Sequence, residues 1–366
     1  MVDGKRTKGT EFSERVLGSL IGGAVGDALG APIEFLRLDV IRETYGPRGI
    51  SDFVPAYGRL GAITDDTQMT LFTAEGLLRA YVRAQSRGIC NVPSVVLGAY
   101  RRWLETQDGK FSDRDITSLG WLLHVEGLWA DRAPGLTCLS ALRERSGSAQ
   151  SPAENESKGS GGIMRIGPVA MMCAGLPDEA EEVFYLAKEC AWLTHGHPSG
   201  YLSAASFAVI LHAVLCGKTL SVGIETAQYL LQKEKGSEEV IAAINLAMTL
   251  VRQCISCEVA LRQIGEGWVA EEALGVAIYC AASAKDYETG VIAAVNHDGD
   301  SDTTGLLVGQ LLGAIHGFNA IPARWVDGIE LRDEMLQLGR DLIEHRNWGA
   351  NNEGLPICAA EKYPGV

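Results

Sequence analysis

The chain of 366 residues is long enough to bury a large hydrophobic core, as one big domain or two ordinary ones. Its composition, 46% apolar and 21% charged, is typical of a globular protein and excludes general disorder. The formal net charge of -14 argues against a nucleic-acid-binding surface, because phosphate recognition needs clustered Lys and Arg. An acidic chain also has carboxylates available to bind metal ions.

The N-terminal segment MVDGKRTKGTEFSERV is polar and lacks the apolar core of a signal peptide. We find no later segment that is long and apolar enough to span a bilayer. The nine cysteines are an odd number and lie mainly in apolar helical patterns, which is typical of reduced, buried thiols. We therefore expect a cytoplasmic protein that does not bind a membrane.

Apolar residues recur at helical spacing from one end of the chain to the other. The patterns cover residues 15–30, 70–84, 95–105, 182–193, 202–215, 239–253, 273–284, 304–317 and 330–343. Alternating strand patterns are hard to find, so the sequence predicts an all-α fold, a compact orthogonal multi-helix bundle. The helices are rich in Gly and Ala, which lets neighbours approach closely. We expect a single domain over residues 1–366, with a core at about 12–347 and a flexible loop at about 143–160.

The first candidate functional segment is GDALGAPIEF, Gly26 to Phe35, in which a Gly-rich helix is stopped by Pro32 and Glu34 follows. A Glu after a helix end is usually a solvated loop residue. It becomes a candidate for acid–base chemistry or metal binding only if other carboxylates converge on it.

The second segment is GAITDDTQM, Gly61 to Met69, which places two adjacent carboxylates at the start of a predicted helix. Thr64 or Asp65 fits the N-cap position, and Asp66 lies at the positive end of the helix dipole. A cap requires only one of these three oxygen-bearing side chains. The segment alone leaves capping and metal binding equally open.

The third segment is SKGSGGIMR, Ser157 to Arg165, where glycines and serines precede a predicted helix. Backbone N–H groups in such a segment can bind a phosphate, helped by the helix dipole. The segment matches neither the Walker pattern nor the dinucleotide-binding fingerprint. A flexible loop that ends in a helix has the same composition, so the signal is weak when it is taken alone.

The fourth segment is NHDGDSDTTG, Asn296 to Gly305, in which Asp298, Asp300 and Asp302 alternate with small residues. It superficially resembles a calcium-binding EF-hand loop, but Gly309 stands where that loop requires Glu. Acidic residues this dense repel one another unless a cation compensates them. Two acidic clusters in one chain suggest a shared site of oxygen ligands that suits Mg²⁺ or Mn²⁺.

Together and in this order, the segments resemble the ADP-ribosylglycohydrolase family, the ADP-ribosyl-acceptor hydrolases that include the dinitrogenase reductase activating glycohydrolase. The resemblance runs from about Arg15 to about Gly317 and is carried by GDALGAPIEF, TDDTQM, GSGGIMR, LTHGHP and AVNHDGDSDTTG. It implies an all-α fold with a dinuclear metal cleft that holds two Mg²⁺ or Mn²⁺ ions. It also implies hydrolysis of the glycosidic bond at C1'' of the distal ribose, which releases ADP-ribose from a modified protein.

Matched residue by residue, the resemblance implies three groups of site residues. Ligands of the two metal ions are implied at Glu34, Thr64, Asp65, Asp66, Asp300, Asp302 and Thr303, with Asp302 bridging both ions. Catalytic roles are implied for Glu34, Asp65 and Asp302. Contacts with ADP-ribose are implied at Ser157, Lys158, Gly159, Ser160, Gly161, Gly162, Ile163 and His195. Without the resemblance, His195 would be interpreted as a hydrogen-bonded core or loop histidine.

The chain departs from the family pattern at three positions. Many relatives have Gly-Gly-Asp where this chain has His297-Asp298-Gly299-Asp300, so Asp298 is an extra acid to which the sequence assigns no role. His297 either orients a ligand or faces away. Ser160 stands where some relatives carry Asn, which would alter contacts with phosphate or ribose. None of these changes removes a matched metal ligand, so we expect an active enzyme.

The resulting hypothesis is a monomeric, metal-dependent hydrolase that removes ADP-ribose from modified side chains. The TDDTQM and GDSDTTG forms favour arginine as the acceptor. Its partners would be an ADP-ribosylated protein as substrate and ADP-ribose as product, with no nucleic acid. The alternatives are a non-catalytic ADP-ribose-binding or structural relative, and an unrelated two-metal hydrolase of small phosphate esters.

Overall fold

The structure, a computed structural model, describes residues 8–109, 120–145, 149–174, 179–348 and 356–365. These residues form seventeen α-helices and no β-sheet, which confirms the predicted all-α class. In chain order the helices are α1 (Lys8–Gly30), α2 (Leu38–Tyr45), α3 (Asp65–Arg87), α4 (Val92–Asp108), α5 (Leu136–Glu144), α6 (Gly167–Cys173), α7 (Ala180–Ala191), α8 (Pro198–Leu215), α9 (Leu220–Leu231), α10 (Glu238–Gln253), α11 (Cys257–Ile264), α12 (Ala270–Ser283), α13 (Tyr287–Val295), α14 (Ser301–His316), α15 (Ala323–Gly328), α16 (Arg332–Glu344) and α17 (Ile357–Lys362).

All nine segments predicted from hydrophobic spacing are helical in the structure. They correspond to α1, α3, α4, α7, α8, α10, α12, α14 and α16. The remaining helices lie outside the nine periodic segments, although α6 was expected after the glycine-rich segment, and they have between six and twelve residues. A helix of two or three turns has too few positions to show a clear period of 3.6 residues.

Helices α1 and α14 pack antiparallel with their backbones in direct contact. Small residues face each other along the pair, in the order Gly18–Gly313, Gly22–Gly309, Gly26–Gly305 and Gly30–Ser301. A methyl group at Gly26 would lie only 1.9 Å from the carbonyl oxygen of Gly305. The pairing fixes the register of the two helices, and it places the C-terminal end of α1 beside the N-terminal end of α14.

Helix α3 begins and ends at residues that suit its termini. Thr64 is the N-cap, and its hydroxyl oxygen accepts a hydrogen bond from the N–H of Asp66 at 3.2 Å. Gly88 ends the helix in the left-handed conformation, and its N–H donates to the carbonyl oxygen of Ala84 at 2.8 Å. The capping interpretation of Thr64 is therefore confirmed, and both carboxylates of the first turn are buried.

The loop predicted at about 143–160 includes residues 146–148, which lie outside the described residues. Its later part is bonded to the segment after α7. The N–H of Ala153 donates to the carbonyl oxygen of Trp192 at 2.8 Å. The side chain of Asn155 accepts from the N–H of Gly196 at 3.0 Å and donates to the carbonyl oxygen of Thr194 at 2.9 Å. These bonds hold the loop against the region that contains His195.

Among the described residues, helix α8 is long and apolar enough to cross a membrane if length and composition alone are considered. The expectation that no segment is so apolar was therefore wrong for this helix. However, 89% of the helix is buried inside the protein, where it packs against α6, α7, α9 and α12. Its apolar composition matches its place in the core.

Candidate functional site

Three segments that are distant in sequence bring their carboxylates to one place. They are Glu34 after α1, Asp65 and Asp66 at the start of α3, and Asp300 and Asp302 at the start of α14. Carboxylate oxygens of Glu34, Asp300 and Asp302 lie within 4.8 Å of one another. The hydroxyl of Thr303 donates to Oδ2 of Asp66 at 2.8 Å, which connects the α14 segment to the α3 segment. The five acidic residues Glu34, Asp65, Asp66, Asp300 and Asp302 are called the carboxylate cluster below.

The carboxylate cluster is buried. Burial, followed by the charges of Asp302 and Asp300, raises the pKa of Glu34 to about 10. Burial also raises the pKa of Asp302 well above its ordinary value, and Asp300 adds to the effect. Within the described parts of the chain, no Lys, Arg or His forms an ion pair with any of the cluster carboxylates.

The cluster fits a divalent cation. Oε2 of Glu34 is buried and has no hydrogen-bond partner among the described residues, so the solvated-loop interpretation of Glu34 is wrong. Mg²⁺ and Mn²⁺ prefer hard oxygen ligands, which here are carboxylates and the hydroxyls of Thr64 and Thr303. A cation in this place would offset the repulsion among the carboxylates and provide a partner for Oε2 of Glu34.

Asp27 was not predicted as a site residue, yet it anchors the start of α3 from within α1. Its carboxylate accepts hydrogen bonds from the N–H of Thr64 at 3.1 Å, the N–H of Thr67 at 3.2 Å and the hydroxyl of Thr67 at 2.5 Å. Burial, followed by the charge of Asp302, raises the pKa of Asp27 to about 7. The sequence does contain a signal, because Asp27 is the only charged residue between residues 16 and 30. A charged side chain in such an apolar helix requires buried polar partners.

A second unpredicted segment, residues 130–135, holds Asp65 in position. The N–H of Asp65 donates to the carbonyl oxygen of Arg132 at 3.2 Å. The N–H of Gly135 in turn donates to Oδ2 of Asp65 at 3.1 Å. Both bonds use backbone atoms of the segment, which is why no pattern of side chains in the sequence identifies it.

The glycine loop, residues 157–163, lies on the Asp300 side of the carboxylate cluster. The hydroxyl of Ser160 donates to Oδ2 of Asp300 at 2.6 Å. The N–H of Ser160 also donates to the carbonyl oxygen of Trp268 at 3.1 Å. In the other direction, the N–H of Ala270 donates to the carbonyl oxygen of Lys158 at 2.8 Å. A single 3-10 turn covers Ser160–Gly162, and helix α6 begins only at Gly167, so the loop does not lead directly into an α-helix as expected.

Other predicted substrate-binding residues mainly position the glycine loop in this structure. Nζ of Lys158 forms ion pairs with Glu271 at 2.7 Å and Glu239 at 2.9 Å. The hydroxyl of Ser157 hydrogen-bonds to that of Thr137 at 3.0 Å. Ile163 is fully buried.

His195 lies beneath the glycine loop and is 1% exposed. A methyl group at Gly161 would lie 3.0 Å from Cε1 of His195, so the ring directly supports the loop backbone. Nδ1 of His195 hydrogen-bonds to the hydroxyl of Thr194 at 2.8 Å. Burial, followed by the charge of Arg165, lowers the pKa of His195 to about 3, so the ring is neutral at physiological pH.

Two exposed aromatic rings connect the segment of Glu34 with that of the glycine loop. Phe35 is 71% exposed and stacks on Trp268, with ring centroids 5.8 Å apart and planes at 15°. The carbonyl oxygen of Trp268 is the one that accepts from Ser160. An aromatic surface therefore borders the carboxylate cluster on this side.

The two unassigned residues before Asp300 bond outside the carboxylate cluster. Oδ1 of Asp298 accepts from the N–H of Leu38, the first residue of α2, at 2.8 Å. Nε2 of His297 hydrogen-bonds to the hydroxyl of Thr304 at 2.8 Å. The extra acid thus stabilises the start of α2, and His297 stabilises the start of α14.

The protein is an all-α bundle in which a buried acidic cluster lies beside a glycine loop. The cluster suits a divalent cation and the loop suits a polar ligand, which together indicate a class of α-helical proteins that can bind both at one site. The profile of the ADP-ribosylglycohydrolase family matches residues 8–351. The ADP-ribosyl-[dinitrogen reductase] glycohydrolase of Rhodospirillum rubrum is 25% identical, over 89% of this chain and 94% of its own. The ADP-ribosylarginine hydrolase Tri1 of Serratia proteamaculans is 21% identical, over 91% of this chain and 80% of its own.

A solved structure, an ADP-ribosylglycohydrolase-related protein complex, aligns with a TM-score of 0.61 at 28% identity. The alignment covers 92% of this chain and 99% of that chain. The chain belongs to the ADP-ribosylglycohydrolase family, as its ordered motifs predicted.

Proposed function

We propose that the protein is a metal-dependent hydrolase that removes ADP-ribose from modified arginine side chains. The observation that carries the proposal is the convergence of Glu34, Asp300 and Asp302 within 4.8 Å, beside Ser160 of the glycine loop. This arrangement combines a site for hard cations with backbone that can receive a diphosphate. The arginine linkage is supported by a relative named as an ADP-ribosylarginine hydrolase.

Residues from all three segments would hold two Mg²⁺ or Mn²⁺ ions. They are Glu34, Thr64, Asp65, Asp66, Asp300, Asp302 and Thr303. When bound, the ions would polarise the distal ribose and lower the pKa of a nearby water, so that the water can act as a nucleophile at neutral pH.

The remaining steps use groups of the chain itself. Backbone N–H groups of the glycine loop would bind the diphosphate, with the loop supported from below by the neutral ring of His195. The carboxylate of Glu34, through the oxygen that does not face a cation, would accept a proton from the attacking water and pass it to the acceptor as the bond from C1'' to the acceptor breaks. The hydrogen bonds from Asp27 and Gly135 would keep the α3 carboxylates oriented.

The test is the release of free ADP-ribose from an arginine-ADP-ribosylated protein, with Mg²⁺ or Mn²⁺ and with EDTA. Asp302→Asn should lower kcat by about 100-fold or more, because it removes charge at the centre of the cluster. Asp298→Asn is the matched control, since this acid of the same loop bonds to α2 instead. We expect the control to keep kcat within about twofold.

Three outcomes would contradict the proposal. A folded, metal-loaded wild type that releases no ADP-ribose from arginine, serine or other linkages would rule out hydrolysis. Binding of ADP-ribose in calorimetry without any release would favour the non-catalytic alternative. Activity on a simple phosphate ester, but not on ADP-ribosylated protein, would favour the unrelated two-metal hydrolase.

A further inference from the structure

A two-residue turn near the carboxylate cluster holds Tyr57 in an unfavourable backbone conformation. Ala56 and Arg59 exchange two backbone hydrogen bonds of 3.0 Å, so Tyr57 and Gly58 form the tip of the turn. Their φ angles are 51° and 79°, which is the pattern of a type I′ turn. Asn-Gly is the favoured pair for this turn, because a bulky side chain is crowded at positive φ. The tyrosine therefore occupies a position that its side chain disfavours, and such strain is typical of functional positions.

The side chain of Tyr57 packs on Arg132, whose backbone is bonded to Asp65 of the carboxylate cluster. The guanidinium carbon of Arg132 is 5.1 Å from the centre of the tyrosine ring. The backbone of Arg132 accepts the hydrogen bond from Asp65, and its Nη2 donates to the buried Glu330 at 3.3 Å. Burial, followed by the charge of Glu34, raises the pKa of the Tyr57 hydroxyl. Because 43% of Tyr57 is exposed, a ligand can still reach it.

Tyr57 and the glycine loop approach the carboxylate cluster through different neighbours. The loop contacts the cluster through Ser160 and Asp300. Tyr57 is connected to it through Arg132 and Asp65. Within the described parts of the chain, no hydrogen bond, ion pair or ring contact joins Tyr57 to the glycine loop. If the diphosphate lies on the loop and the distal ribose over the cluster, the acceptor beyond C1'' extends towards the flank that contains Tyr57.

We propose that Tyr57 contacts the acceptor side chain of the ADP-ribosylated protein and selects for arginine. This inference rests on the proposed function and deepens it. A guanidinium suits the position, because an aromatic face attracts a planar cation and a hydroxyl oxygen accepts its N–H groups. Arg132 and the type I′ turn fix the ring in place, so little rotational freedom is lost when the acceptor binds.

The experiment compares Tyr57→Asn and Tyr57→Phe with wild type. Peptides modified on arginine and on serine are the substrates, ADP-ribose alone is the product probe, and Tm reports the fold. Tyr229→Asn is the matched control, because Tyr229 is 60% exposed and also lies beneath a cation, with Nζ of Lys233 at 4.6 Å from its ring centre.

We expect Tyr57→Asn to raise KM for the arginine-linked peptide about tenfold, and to leave the affinity for ADP-ribose within about twofold. The arginine-to-serine ratio of kcat/KM should fall correspondingly. Tyr57→Phe, which keeps the ring, should have a smaller effect. Tm of Tyr57→Asn should be unchanged or higher, because Asn-Gly suits the turn. Tyr229→Asn should change none of the kinetic constants.

An active wild type whose arginine-to-serine ratio does not change in Tyr57→Asn would overturn the inference and leave the proposed function standing. Equal losses of ADP-ribose affinity and peptide affinity, together with a lower Tm, would also overturn it, because they indicate a structural role. A wild type that is inactive on arginine-linked substrate would overturn the arginine hydrolase proposal, and the inference with it.

Discussion

A single carboxylate, that of Asp27, joins the first helix to the first turn of α3. It accepts hydrogen bonds from Thr64 and Thr67, which flank the two carboxylates of that turn. Asp27 is fully buried, so water cannot replace these bonds when the carboxylate is removed. Its role is to position the residues around it.

Asp27→Ala should lower the free energy of unfolding by about 3 kcal/mol, because two buried N–H groups lose their acceptor. Asp27→Asn should cost less, since one carbonyl oxygen remains. The matched control is Asp286→Ala, which removes the exposed N-cap of α13 and should cost about 1 kcal/mol. Urea unfolding in EDTA measures all three. If Asp27→Ala cost no more than Asp286→Ala, the anchoring role of Asp27 would be wrong.

The residues around the candidate site that the sequence predicted differ from those it missed in how far apart in sequence their contacts lie. Thr64 was recognised as a cap because its bond to Asp66 spans two residues. Asp27 bonds to Thr64 across 37 residues, and Tyr57 depends on the packing of Arg132 from another segment. Such contacts exist only after the chain has folded, so a local pattern does not show them. The unusual residue, one acid in an apolar helix or one tyrosine before glycine, is the only trace in the sequence.

At the scale of elements, the contact between α1 and α14 aligns the site. Gly26→Ala places a methyl group 1.9 Å from the carbonyl oxygen of Gly305, so the helices must separate or shift. We expect a loss of about 3 kcal/mol or more in the free energy of unfolding, together with weaker Mn²⁺ binding. Denaturant unfolding and calorimetry with Mn²⁺ measure the two effects.

Gly98→Ala in α4 is the control for this substitution. The nearest atom to a methyl group there is Nη1 of Arg102, at 3.6 Å. This change should stabilise the protein by up to about 1 kcal/mol, because Ala has the higher helix propensity. Similar stability changes in the two variants would show that the close packing of α1 and α14 is not what stabilises the fold.

The long helices were predictable because each one buries a stripe of apolar residues at regular spacing. The glycine content also indicated close packing between helices. It did not show which helices pair, because any two Gly-rich faces are compatible in sequence. Two acidic clusters in the sequence already suggested a shared cation site, and the resemblance added Glu34 to the predicted ligands. The register of α1 on α14 explains physically why Glu34 meets Asp300 and Asp302.

At the scale of the whole molecule, a cation in the carboxylate cluster would connect three segments that are distant in sequence, those of Glu34, of Asp65 and Asp66, and of Asp300 and Asp302.

The cluster carboxyls have raised pKa values, so the folded, metal-free protein binds more protons than the unfolded chain does. Its stability should therefore fall as pH rises from the ordinary carboxyl pKa near about 4. The fall continues through the pKa of about 7 for Asp27 and of about 10 for Glu34.

Mn²⁺ should offset this loss, because it binds the deprotonated carboxylates. At a free concentration of 100 times Kd, it should stabilise the fold by about 2.7 kcal/mol. The gain should be larger at pH 8 than at pH 6, with protons released on binding. Thermal unfolding at both pH values, with EDTA or Mn²⁺, provides the measurement. Asp302→Asn should show a smaller response, whereas an equal response would place the metal elsewhere.

The antiparallel packing of the first helix on α14 also determines when the protein can finish folding. Tyr287 donates to the carbonyl oxygen of Gly22 at 2.7 Å across 265 residues of sequence. At a synthesis rate of about 5–20 residues per second, roughly 15 to 50 seconds separate these residues on the ribosome. During that time the glycine face of α1 has no partner, so the amino-terminal helix must wait for the carboxyl-terminal third. A nascent chain that stops before α14 contains Glu34 and both α3 carboxylates, but it cannot assemble the cluster.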